Sequence, residues 1–130
     1  MPSAYQSYQQ NSVLTATPGE LTLMLYNGCI KFIRQARVAI NAKDLPAKNT
    51  FLQKAQRIVR ELMVTLDQKQ PIAGEMLRLY DYIYRRMIDA NVKNDPEILD
   101  EVEKLVIDFR DTWKQVIELT QKNQPKRDRA

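Results

Sequence analysis

Between Leu79 and Asn91 the apolar residues fall on two lines of a helix rather than one. Tyr80, Ile83, Met87 and Ala90 recur at three- and four-residue steps and so share one face, which Met76 and Leu79 extend. Leu77, Tyr84 and Ile88 make a second stripe roughly 100° away at 3.6 residues per turn. A single core contact does not need both stripes. Such a helix has either two neighbours in its own fold or one neighbour from another chain.

Three further segments carry the same period. Thr17-Pro18-Gly19-Glu20 reads as a helix start: Thr17 caps, Pro18 suits the first helical position and Glu20 completes a Thr-x-x-Glu capping box. The helix it opens runs to about Lys43, with a broad stripe from Leu21 to Ile40 that Leu23, Tyr26 and Ile30 widen further. That breadth predicts burial on more than one side. Gly28 costs about 1 kcal/mol inside a helix relative to Ala, which predicts close approach of a neighbour there. Asp44-Leu45-Pro46 begins a second helix reaching about Leu66, with a single clean stripe and Val64 pointing away. The third helix spans roughly Ile72 to Lys93. Asp95 and Pro96 open the fourth as cap and first residue, and its apolar face continues to about Thr120, with Ile107 and Leu119 off that face.

Four such helices joined by short turns predict an all-α fold, an antiparallel up-down four-helix bundle over residues 17–120. Residues 1–16 are polar, with Tyr5, Tyr8, Val13 and Leu14 as their large apolar groups, and are expected to form a mobile N-terminal segment. Residues 121–130 are charged and without an apolar anchor, and are expected to form a disordered basic tail.

Composition narrows the chemistry. The chain has 130 residues, enough to bury a core without disulfides or metals. Its one cysteine, Cys29, lies among Leu25, Ile30, Phe32 and Ile33 and reads as a small buried hydrophobe. A lone cysteine and a polar N-terminus without an apolar signal stretch suit the cytosol, and no apolar run approaches the roughly 20 residues of a membrane span. Histidine is absent, and with it the commonest general base and metal ligand. No glycine-rich phosphate loop is present, and the carboxylate pairs Asp100/Glu101 and Asp108/Asp111 fall on a polar helix face. No enzyme activity, cofactor or metal is expected. The net charge of +4 is unevenly spread, with residues 1–66 basic and 95–120 acidic. Attraction between the halves of one bundle accounts for this, and no aromatic platform accompanies Lys31, Arg34 and Arg37 as nucleic-acid binding would want.

What remains is surplus apolar surface: Leu77, Tyr84 and Ile88 on the third helix, and Leu23, Tyr26, Ile30, Val64, Ile107 and Leu119 elsewhere. Either the first helix and the N-terminal segment cover these groups or a partner does. Both hold if the cover is removable. A contiguous patch marks an interface more often than scattered hydrophobes do.

A set of local phrases now becomes informative. Tyr8-Gln9-Gln10-Asn11-Ser12-Val13 is followed by Thr15-Ala16-Thr17-Pro18-Gly19-Glu20-Leu21, running into Met24-Leu25-Tyr26-Asn27-Gly28. Leu79-Tyr80-Asp81-Tyr82, Ala90-Asn91-Val92-Lys93-Asn94-Asp95, Glu101-Val102-Glu103 and Trp113-Lys114 complete the set. In this order and spacing the chain resembles the flagellar secretion chaperones for flagellin, the FliS family, from Tyr8 to Trp113. The resemblance implies a cytosolic bundle that binds the disordered C-terminal segment of flagellin 1:1, prevents its early polymerisation and presents it to the flagellar export apparatus. It implies a client lying in apolar grooves between helices, which accept amphipathic helices by their i, i+3, i+4 and i+7 side chains. It also implies an N-terminal segment, carrying Tyr8, that packs over part of the bundle and rearranges on binding.

Wheel geometry and the resemblance together give the candidate contact residues. Tyr8 and Val13 would be cover and contact groups, and Tyr26, Leu77, Tyr84 and Ile88 would line client grooves together with Ile30 and Ile107. No nucleic acid and no membrane insertion are expected. The alternative is a non-enzymatic helical adaptor or homodimeric structural bundle, in which the second stripe is the dimer face.

Overall fold

A computed structural model describes residues 16–123, with side chains through residue 120. Four helices follow in order: α1 (Pro18–Asn41), α2 (Leu45–Thr65), α3 (Ala73–Lys93) and α4 (Pro96–Asn123). Their starts follow from local chemistry. The Thr17 hydroxyl accepts from the Glu20 amide at 3.2 Å with Pro18 at the first helical position. Asp44 accepts from the Ala47 amide at 3.2 Å, and Asp95 from the Glu97 amide at 2.9 Å. Each carboxylate or hydroxyl satisfies a donor that the first turn leaves orphaned. Helix α3 differs, because Ile72 stands at its N-cap and offers no side-chain acceptor. At its other end Asn94 takes the left-handed conformation (φ 52°) that an Asn tolerates better than most residues, and turns the chain directly into α4.

The helices pack in a closed square, α1 beside α2, α2 beside α3, α3 beside α4 and α4 back on α1. Side-chain bonds fix the senses. Trp113 Nε1 donates to the Gly19 carbonyl at 2.9 Å while Arg34 reaches Glu103 at 2.9 Å, so α4 runs antiparallel to α1. Arg86 meets Glu101 at 2.9 Å near the α3–α4 turn. At the opposite seam the Asn91 amide donates to Asn49 Oδ1 at 3.1 Å. Lys48, buried apart from 6% of its surface, donates to the Asn91 carbonyl at 2.9 Å and to Asn94 Oδ1. An ammonium there meets the unpaired carbonyls at the C-terminus of α3, where the helix dipole favours a cation. The up-down bundle expected from the periodicity is the fold observed.

The core draws Cys29, Ile33 and Ala36 from α1, Leu52, Ala55, Val59 and Leu62 from α2, and Tyr80, Ile83, Met87 and Ala90 from α3. Ile98, Leu99, Val102 and Val106 complete it from α4. The first stripe of α3 therefore does face inward, with one correction: Leu79 is 38% exposed, because it lies about 100° round the helix from Tyr80, at the margin of the inward face. The close approach expected at Gly28 is present, since a Cβ there would lie 3.2 Å from Ile58 Cδ1 of α2. Helix α1 ends at Asn41 rather than Lys43, where Lys43 turns left-handed (φ 58°), and α4 runs on to Asn123. Burial pushes the Cys29 thiol up to about 12, so it is a packing group and not a nucleophile.

Candidate functional site

Among the described residues no group of three His, Cys, Asp or Glu side chains gathers to hold a metal, and no helix is long and apolar enough to cross a membrane. Two apolar depressions stand out among the described residues, and both involve α3.

The first lies along the seam of α2 and α3. The register set by the Asn49–Asn91 bond places Met63 opposite Leu77 and puts Arg60 near Tyr84. Leu77 and Met63 line a shallow pocket of about 690 Å³, flanked by Arg78, Asp81, Tyr82 and Arg85. Tyr84 is half-buried against the core, and the Arg60 guanidinium stands 5.8 Å from its ring centroid. Ile88 is 40% exposed one turn further on, and Val92 follows it, largely exposed. On the α2 side Val64 is exposed as well. The groove is thus floored by the second stripe of α3 and walled by the edge of α2.

The second depression is a cleft of about 710 Å³ at the end of the bundle where α1 begins and α4 finishes. Leu66, Asp67, Gln70 and Ile72, from the crossing between α2 and α3, line one side of it. Gly19, Ile72, Met76, Trp113 and Ile117 are among its lining residues. Its floor holds Tyr26 and Tyr80, whose hydroxyls are 2.5 Å apart. Tyr26 also stacks on Phe109 of α4 at 6.0 Å between centroids. Burial raises both phenols above their ordinary range, and the mutual bond works against that rise in Tyr26 and adds to it in Tyr80. Both therefore stay protonated at neutral pH, one donating to the other.

Removing one hydroxyl strands its partner in a dry site. Tyr80→Phe is expected to destabilise the bundle by about 1–3 kcal/mol, while the double change with Tyr26→Phe costs less than the sum of the two single changes. Urea unfolding of the four proteins checks this, and strictly additive losses would mean the two hydroxyls do not depend on each other.

The candidate residues from the sequence do not all come together. Leu77, Tyr84 and Ile88 share one edge, as the wheel placed them. Tyr26 and Ile30 require correction as surface groups: they are 2% and 3% exposed. The reason is that α1 packs on α2 and α4 at once, so its wide stripe is consumed internally. Tyr26 keeps a role only as the floor of the end cleft. Ile107 is half-buried and packs on the core from α4, away from the α2–α3 groove. Tyr8 and Val13 lie outside the described residues. Met63 and Trp113 fall within the apolar stripes of α2 and α4, pack against the core, and each also lines a depression. Both sit at the margin of their stripe, which was the available signal.

Comparison with known proteins agrees with this geometry. A family model described as flagellar protein FliS matches residues 1–120. The chain is 56% identical over 119 residues to the flagellar secretion chaperone FliS of Bacillus subtilis (strain 168), covering 92% of this chain and 90% of that one. It is 36% identical over 110 residues to the protein of the same description from Salmonella typhimurium, with 82% of each chain covered. A solved structure described as a flagellar chaperone from bacteria superposes with a TM-score of 0.74 at 26% identity, over 88% of this chain and 95% of that one.

Proposed function

This chain belongs to the FliS family of flagellar secretion chaperones, and on that premise we propose that it binds the disordered C-terminal segment of flagellin in the cytosol. It holds that segment 1:1, keeps it from polymerising before export and presents it to the flagellar export apparatus. The observation that carries this reading is the exposed edge of α3. Leu77, Tyr84 and Ile88 remain at the surface of a bundle whose core Tyr80, Ile83 and Met87 already fill.

The physics of the client favours such an edge. A disordered segment loses conformational entropy when it binds, so it needs a long interface with several apolar anchors. Side chains at i, i+4 and i+7 of a nascent client helix match the groove between α2 and α3. The end cleft extends the surface. Thr17, Pro18 and Gly19, at the start of α1, are among the residues that line it. Tyr8 and Val13 are proposed, from the family resemblance, as a removable cover and as contact groups, and Tyr26 as part of the cleft floor. Ile30 and Ile107 support these surfaces from within. Activity of this kind needs shape and apolar area and no reacting group, in keeping with a chaperone that is not an enzyme.

Size-exclusion chromatography with light scattering, with and without a flagellin C-terminal peptide, tests the reading. A 1:1 complex that includes the peptide is expected. A homodimer that ignores the peptide would overturn it in favour of a self-associating bundle.

A further inference from the structure

The arginines of the bundle fall into two classes. Where α4 borders its neighbours they are neutralised: Arg34 and Arg37 pair with Glu103, Arg37 also reaches Asp100 at 2.9 Å, and Arg86 pairs with Glu101 and Asp89. Burial works to raise the Glu103 carboxyl, but its bonds from Arg37 and Arg34 outweigh that and hold it below the usual range. Three carboxylates of α4, Asp100, Glu101 and Glu103, are engaged in this way.

Along the α2–α3 groove the balance is different. Arg60 leans over the Tyr84 ring, and Arg78 and Arg85 flank Leu77. Arg85 has one carboxylate partner, Asp81 at 2.9 Å, and that pair is widely open to water. Among the described residues Arg60 and Arg78 have no ion-pair partner. Three guanidinium groups thus border the groove, and the one carboxylate among the described residues lining the pocket at Leu77 is Asp81. A partner helix seated on Leu77 would bring its flanking side chains near Arg78 and Arg85, which line the same pocket.

From this complementarity we infer that the α2–α3 groove selects amphipathic client helices whose apolar face is bordered by carboxylates, which dock on Arg60, Arg78 and Arg85. This rests on the client-binding reading above and adds to it a rule of selection. The apolar face supplies affinity. The carboxylates supply register and discrimination, since a guanidinium receives a carboxylate through two parallel N–H bonds and repels a lysine-flanked helix. Selection of this kind weakens with salt, because the rim is exposed.

The test uses the full chain and two peptides: the flagellin C-terminal segment, and the same segment with every Asp and Glu changed to Asn and Gln. Calorimetry at low and high salt reads both against the wild-type chain and a variant carrying Arg60→Gln, Arg78→Gln and Arg85→Gln. The amide peptide is expected to bind about tenfold more weakly than the native one at low salt, as a few partly exposed pairs add up to. The gap narrows at high salt. The triple variant weakens the native peptide by a similar factor and leaves the amide peptide unchanged, which also demonstrates that the variant remains folded. Equal binding of both peptides to the wild-type chain would overturn the selection rule while leaving the chaperone reading intact. Binding of neither would overturn both. Should the triple variant unfold, Arg78→Gln alone, at an exposed position, is expected to show the same pattern at smaller amplitude.

Discussion

Tyr84→Ala and Ile88→Ala will each lower affinity for the flagellin C-terminal segment, by a factor on the order of 10–100, and will leave the bundle folded. The size follows from the area removed: burying an aromatic or branched aliphatic side chain contributes about 1.5–3 kcal/mol, and each 1.4 kcal/mol is a factor of ten. The preserved fold follows from position. Ile88 is 40% exposed and points away from Met87, so truncating it opens no cavity. Tyr84 lies half-buried beneath Arg60 at the margin of the core, so its loss costs some stability but leaves the inner stripe of α3 complete. Calorimetric titration reads the affinity, and circular dichroism with thermal melting reads the fold. Unaltered affinity would place the client elsewhere. Melting that collapses would return the residue concerned to the core.

The contrast between those residues and their neighbours is legible in the sequence for a geometric reason. Tyr80, Ile83, Met87 and Ala90 are separated by three and four residues, and that spacing can only put them on one side of a helix. The caps at Thr17 and Asp95 were equally direct, because their oxygens sit at the boundaries where they are needed, and Asp44 caps the helix whose start was placed there. Tyr26 and Ile30 were misplaced because a wheel reports the width of an apolar stripe and not the number of helices that share it. Helix α1 has two close neighbours, so a stripe wide enough to suggest spare surface is used up inside. The end cleft could not be read at all. It is a property of where four helices stop and how residues 66–72 cross between two of them, which no periodicity encodes. The charge pattern was legible as a difference between halves. That the α4 carboxylates neutralise Arg34, Arg37 and Arg86, while Arg60 and Arg78 have no ion-pair partner among the described residues, emerges only from the packing.

One residue before Ile88, the consequence of substitution reverses. Met87→Ala is expected to cost about 2–5 kcal/mol of folding free energy, a large part of the roughly 5–15 kcal/mol that a domain of this size commands. Met87 has no exposed surface and sits among Tyr80, Ile83 and Ala90 in the core of the square, where the neighbouring helices cannot close the gap without moving. The melting temperature should fall by on the order of 10 °C or more. Met87→Leu keeps most of the volume and should cost under about 1.5 kcal/mol, so a comparable loss from both variants would mean that shape rather than cavity formation governs this site. Denaturant unfolding of the two variants beside Ile88→Ala measures the difference. Binding supplies the second half of the argument. At temperatures well below its melting point Met87→Ala should still take the flagellin segment with affinity close to wild type, because the edge formed by Leu77, Tyr84 and Ile88 lies on another side of the same helix. A Met87→Ala protein that is folded yet no longer binds would mean that core and groove on α3 are coupled, and the division of this helix into an inward and a client-facing stripe would have to be abandoned.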